Sequence, residues 1–143
     1  MIVADSNGTI LGSRETNGGR AAADTVGMLS FKKLDVYRVS IELLALAAEV
    51  IESIGRSKGN APLADQLKRA ALSVPLNIGE GAGKATPADQ TKYYVIARGS
   101  AMECGAIFDA ALVLKLVDGE TAARAEGLVT RIAGMLTRMC HFR

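Results

Sequence analysis

The chain has no tryptophan, only three tyrosines and three phenylalanines, and a single histidine. With aromatics at 4%, stacking of single-stranded bases on aromatic faces has little to work with. The one histidine, His141, has no second imidazole with which to share a metal. Metal centres in helical bundles draw carboxylates and histidines from facing helices, so a zinc or di-iron site is not expected. Cysteine is scarce as well. Cys104 and Cys140 show no CxxC spacing and read as core thiols rather than a disulfide. No apolar run approaches the roughly 18 residues that span a bilayer, and no basic segment followed by an apolar one opens the chain, so a cytoplasmic protein without membrane contact is expected. Charge of one sign is missing too: 17 basic against 15 acidic residues leave +2. Nucleic-acid-binding domains usually carry a stronger basic excess, so the placement of the charges matters more than their sum.

Catalytic apparatus is equally thin. Glu80 and Glu103 are the nearest thing to an acid/base pair, but no nucleophile with a base, phosphate loop or cofactor motif accompanies them. The glycines from Gly79 to Gly83 match neither a Walker nor a dinucleotide pattern. A non-enzyme without cofactor or metal is expected.

What the chain does have is helix. Its 143 residues, 49% hydrophobic and 22% charged, suffice for one domain with a real core. Up to Met28 the sequence is rich in Gly, Asn, Thr and Ser without sustained periodicity, and residues 1–30 read as a flexible N-terminal tail ahead of a domain at 31–143. From Leu34 to Ile54 two apolar stripes run together: Val36, Val39, Leu43, Leu46 and Val50, and beside them Tyr37, Ile41, Leu44, Ala48 and Ile51. Both have helical spacing. They leave a narrow polar strip of Arg38, Glu42, Glu49 and Glu52. The second stripe calls for burial in a crowded core or against another subunit.

A second helix is predicted from Leu63 to Glu80, kinked at Pro75, which supplies no amide hydrogen. Thr86-Pro87-Ala88-Asp89 starts a third, with Thr86 as cap and proline at its first position. It is predicted to reach Val117, with Ile96, Met102, Ile107, Leu112, Leu114 and Leu116 as apolar positions. Asp118-Gly119 makes a turn, and a last helix runs from Glu120 to Cys140 with Leu128, Val129, Ile132, Met135, Leu136 and Met139 on one face. Short connections then imply an all-α, antiparallel up-down four-helix bundle.

Two polar patterns are candidate functional sites. Arg69, Ser73, Asn77 and Glu80 form a stripe on the second helix. Antiparallel packing about a turn near Ala85 is predicted to bring Arg69 to Glu103, Ser73 to Arg98, and Asn77 to Tyr93 or Tyr94, as a polar network that fixes register. On the last helix Arg124, Arg131 and Arg138 recur every seven residues beside the apolar face. They suit either phosphate or the acids of a neighbouring helix. Lys68, Lys84 and Lys92 would add a second basic patch near the hairpin between helices two and three.

One stretch is more specific. Gln66-Leu67-Lys68-Arg69-Ala70-Ala71, then Ser73-Val74-Pro75, Asn77-Ile78 and Glu80-Gly81, with Ile96-Ala97-Arg98-Gly99-Ser100 downstream, closely resembles the four-helix-bundle family associated with intervening sequences in bacterial 23S ribosomal RNA genes. The resemblance runs from about Phe31 to the C-terminus, which makes Met28 an alternative start. It implies a compact bundle assembled as a ring-like homopentamer. A related branch resembles the accessory variability protein of diversity-generating retroelements, which implies nucleic acid (RNA or DNA) and a reverse transcriptase as partners. From Phe31 onward, 15 basic and 12 acidic residues differ by only +3, a departure from a strongly basic barrel. Two functions follow as expectations: nucleic-acid or ribonucleoprotein association through the six basic residues, or a protein-interaction scaffold whose arginines are used within the assembly.

Overall fold

The computed structural model describes residues 3–4, 10–11 and 30–140. Most of the expected tail, and His141, lie outside the described residues. Within the tail region, Val3–Ala4 (β1) pairs antiparallel with Ile10–Leu11 (β2), a contact the glycine-rich composition did not suggest. A 3-10 turn at Ser30–Lys33 leads into four helices: α1 (Asp35–Arg56), α2 (Ala61–Ala82), α3 (Pro87–Val113) and α4 (Gly119–Met139).

Cross-helix contacts show that each helix runs opposite to its neighbours. Gly55 of α1 lies against Ala64 of α2, while Gly79 near the other end lies against Phe31. Ser73 of α2 meets Ser100 of α3, and Gly81 meets Tyr93 and Tyr94. Arg98 of α3 reaches Thr137 of α4, and Gly105 meets Val129. Arg124 of α4 returns to Glu49 of α1. The four helices therefore close a cycle of antiparallel neighbours.

Local signals set the ends. Asp89 donates its amide to Thr86 Oγ1 at 3.2 Å, and Thr121 donates its amide to Asp118 Oδ1 at 2.7 Å. Hydrogen bonding from Thr121 lowers the Asp118 pKa, so this cap stabilises α4 at neutral pH and weakens as pH falls through the lowered value. Pro75 does not interrupt α2, which continues through it to Ala82. α3 stops at Val113, short of the expected Val117. There the Lys115 amide bonds Leu112 O and the Leu116 amide bonds Ala111 O, with Lys115 at φ 59. That is a Schellman ending with a lysine where glycine is usual.

The core corrects the reading of α3. Of the large apolar positions read along this helix, Ile107 is buried and Leu116 half-buried, whereas Ile96, Met102, Leu112 and Leu114 are exposed. Tyr94, Ala97, Ala101, Cys104, Phe108 and Ala111 take the inner face. Small side chains there allow α2, with Ala70 and Ala71 buried, to approach closely. On α1 the first stripe is buried apart from half-buried Val50, while Tyr37, Leu44 and Ile51 are half-buried and Ile41 and Ala48 exposed, so the monomer core does not absorb the second stripe.

Gly81 marks the tightest approach, because a Cβ there would stand 2.8 Å from Tyr94 Cε1 and 3.0 Å from Tyr93 Cβ. Gly127, by contrast, has nothing within 4 Å of that position. Urea denaturation should show Gly81→Ala destabilised by about 1–3 kcal/mol through overpacking, despite its better helix propensity. Gly127→Ala should gain up to about 1 kcal/mol from propensity alone.

Candidate functional site

The polar stripe of α2 divides among several partners. Ser100 Oγ donates to Ser73 Oγ at 2.8 Å, and Asn77 Nδ2 donates to Ser73 O at 2.8 Å and to Ser73 Oγ at 2.9 Å. This is a compact cluster across the α2/α3 seam, and Ser100 was not foreseen in it. The remaining expected pairings do not form. Glu103 accepts from Gln66 Nε2 at 3.0 Å, one turn away from Arg69, which is exposed. Arg98 points to the other side of α3 and donates to Thr137 Oγ1 at 3.1 Å. Asn77 bonds back along its own helix rather than to Tyr93 or Tyr94, which face Gly81. Glu80 pairs with Lys84 at 3.0 Å. Among the described residues no three His, Cys, Asp or Glu side chains gather as metal ligands.

The arginines of α4 have a counterpart that the sequence reading did not connect to them. Asp35, Glu42 and Glu49 recur every seven residues on α1, as Arg124, Arg131 and Arg138 do on α4. Because the two helices are antiparallel, the two series face each other across one groove. Arg124 Nη1 lies 3.9 Å from Glu49 Oε2. Arg131 shares with Glu42 and Glu49 a depression of about 390 Å³. Arg138 shares with Asp35 a second depression of about 350 Å³ farther along the same seam. The signal was present in the shared period, but choosing the partner helix required knowing that α1 and α4 are neighbours. Opposite charges this close weaken each other's far field, so the stripe attracts phosphate less than three free arginines would.

Two of the three lysines are likewise engaged. Lys84 pairs with Glu80, whose hydrogen bond and charge raise its pKa, and its ammonium lies 5.0 Å from the Tyr93 ring centre. Lys92 is 3.5 Å from Asp89. Lys68 is exposed beside Arg69, and among the described residues neither forms an ion pair.

Both cysteines are free and buried. Burial, reinforced by the nearby Glu103 carboxylate, pushes the Cys104 thiol up to about 12, and burial raises Cys140 as well. No described helix is long and apolar enough to cross a membrane.

Fold and surface together define a small antiparallel four-helix bundle with charge-matched seams. The family model of the 23S rRNA-intervening sequence protein matches residues 32–138, and the chain belongs to that family. Among solved structures, it is similar to a protein of unknown function from the S23 ribosomal protein family of Bacteroides thetaiotaomicron VPI-5482. The TM-score is 0.69 at 18% identity, covering 74% of this chain and 98% of that one, a likeness of fold. No functionally curated protein matches.

A double-mutant cycle with Arg124→Ala and Glu49→Ala should give a coupling of about 0.2–1 kcal/mol at low salt, fading in molar salt, as for an exposed pair. Iodoacetamide at pH 8 should leave Cys104 unmodified in the native protein and label it only on unfolding, as followed by mass spectrometry.

Proposed function

We propose that this chain is a non-enzymatic bundle that associates with copies of itself and serves as a scaffold for protein partners. The observation that carries this reading is the outer face of α3. Val95, Gly99, Met102, Ala106 and Val113 recur at intervals suited to one outward side, and Met102 and Val113 are 59% and 79% exposed. The inner side of α3 is apolar as well, and a helix apolar on both sides belongs inside an assembly. Ile41 of α1 and Leu76 of α2 are also exposed, so apolar surface lies on two further helices, away from the outer face of α3. Surfaces that differ in this way suit head-to-tail contacts that close into a ring, in keeping with the homopentamer implied by the family resemblance. A reverse transcriptase would be one such docked partner.

The alternative is association with RNA or DNA. Its support is the family's connection with ribosomal RNA and the exposed pair Lys68 and Arg69. The matched acids opposite Arg124, Arg131 and Arg138 favour the scaffold.

Light scattering on the full chain tests the choice. The protein should run well above its 15.0 kDa protomer mass, and Met102→Glu should return it toward that mass with unchanged helicity. Nuclease-treated protein should not bind a mixed RNA and DNA panel at moderate salt. A monomeric wild type, or binding that falls steeply with salt and is lost in Lys68→Glu/Arg69→Glu, would replace the scaffold reading with the nucleic-acid one.

A further inference from the structure

The α1/α4 seam is an open, apolar-floored groove whose two rims carry opposite charge, and it is distinct from the outer face of α3. Its floor includes Leu46 and Leu128 in one depression and Val36 and Met135 in the other. The groove is too open to enclose a small molecule, yet the two depressions lie in line. From Asp35 to Glu49 the acidic rim extends about 21 Å at helical rise, the length of about four helical turns. Rim charges spaced by seven residues are what the flanking positions of a docked helix would meet in a coiled-coil-like contact.

We propose that this groove is the docking site for one amphipathic helix of a partner protein, with acidic residues along the flank that faces Arg124, Arg131 and Arg138 and basic residues along the flank that faces Asp35, Glu42 and Glu49. The proposal rests on the scaffold reading and names its docking surface. Opposite rims also fix direction, because turning the helix end for end would set like charges against each other. The pair that bridges the rims, Arg124 with Glu49, is 3.9 Å long with side chains 58% and 62% exposed, so a partner can exchange it at small cost. Gly127, an exposed residue lining the first depression, has nothing within 4 Å of where a side chain would begin.

The test uses the full chain and two fluorescent synthetic helices of about three heptads, matched in composition. One carries leucine at the core positions, glutamate along one flank and lysine along the other. Its control mixes both charges on each flank. The first should bind about tenfold more tightly than the control at low salt. Gly127→Leu, which fills the groove and keeps both rims, should abolish that binding with helicity and assembly size unchanged. In the triple variant Arg124→Glu, Arg131→Glu, Arg138→Glu both rims are acidic, and preference should switch to a peptide with lysine on both flanks. Equal binding of the two original peptides, no effect of Gly127→Leu, or no switch would overturn the proposal. A change of assembly size in Gly127→Leu would overturn it too, by making the groove an interface between copies while the scaffold reading stands. Failure of the scaffold reading itself appears separately, as a monomeric wild type that binds nucleic acid.

Discussion

The close approach of α2 to α3 is the constraint on which the rest of the structure depends. Gly81 admits the Tyr93 and Tyr94 side chains at a distance that leaves no room for a methyl group, and buried Ala70, Ala71, Ala97 and Ala101 keep the seam narrow. With so much of the inner face of α3 given to small residues, much of its large apolar content has nowhere to go but outward. The exposed Met102 and Val113 are therefore consequences of a tight core as much as features of a surface. The Ser73, Asn77 and Ser100 cluster sits in this seam with its hydrogen bonds satisfied internally. A polar group placed that close to a core has to be matched, and matching it restricts how the two helices can slide.

The α1/α4 seam follows another logic. There the contact is a groove with a charged series on each side, and the register is expressed through electrostatics at the surface. Such pairs add little stability individually. Their value lies in discrimination: antiparallel neighbours with one alignment bring acid to base, whereas a displacement of half the repeat does not. One bundle thus uses steric fit on one side and charge pattern on another.

Much of this was legible in the sequence, for reasons that differ by element. The helices were, because their apolar periods are long and Thr86 marks a start that its side chain does cap, whereas Asp118, read only as part of a turn, proves to cap α4. The side of α3 that faces the core was not, since its apolar residues surround the helix and periodicity alone does not choose between them. Pro75 suggested an interruption, but α2 continues through it and the proline is buried. For the candidate site, the seven-residue period of Arg124, Arg131 and Arg138 was plain, and Glu42 and Glu49 were already grouped as part of a polar strip. Joining the two needed the three-dimensional fact that the first and last helices are neighbours. The α2/α3 pairing was read in the right general register, but Gln66 rather than Arg69 meets Glu103, because a shift of one turn lies within what a turn position can specify.

The end of α3 carries one more implication. Lys115 holds a left-handed backbone that costs an ordinary residue roughly 1–2 kcal/mol and glycine far less. Folding therefore retains an unrelieved local strain at a position that a single codon change to glycine would ease. Natural chains keep such unclaimed stability when they already stand above the threshold their role demands. The α3/α4 turn thus keeps margin in reserve at Lys115, an exposed position, while its neighbours Leu116 and Val117 pack against the core and anchor the turn.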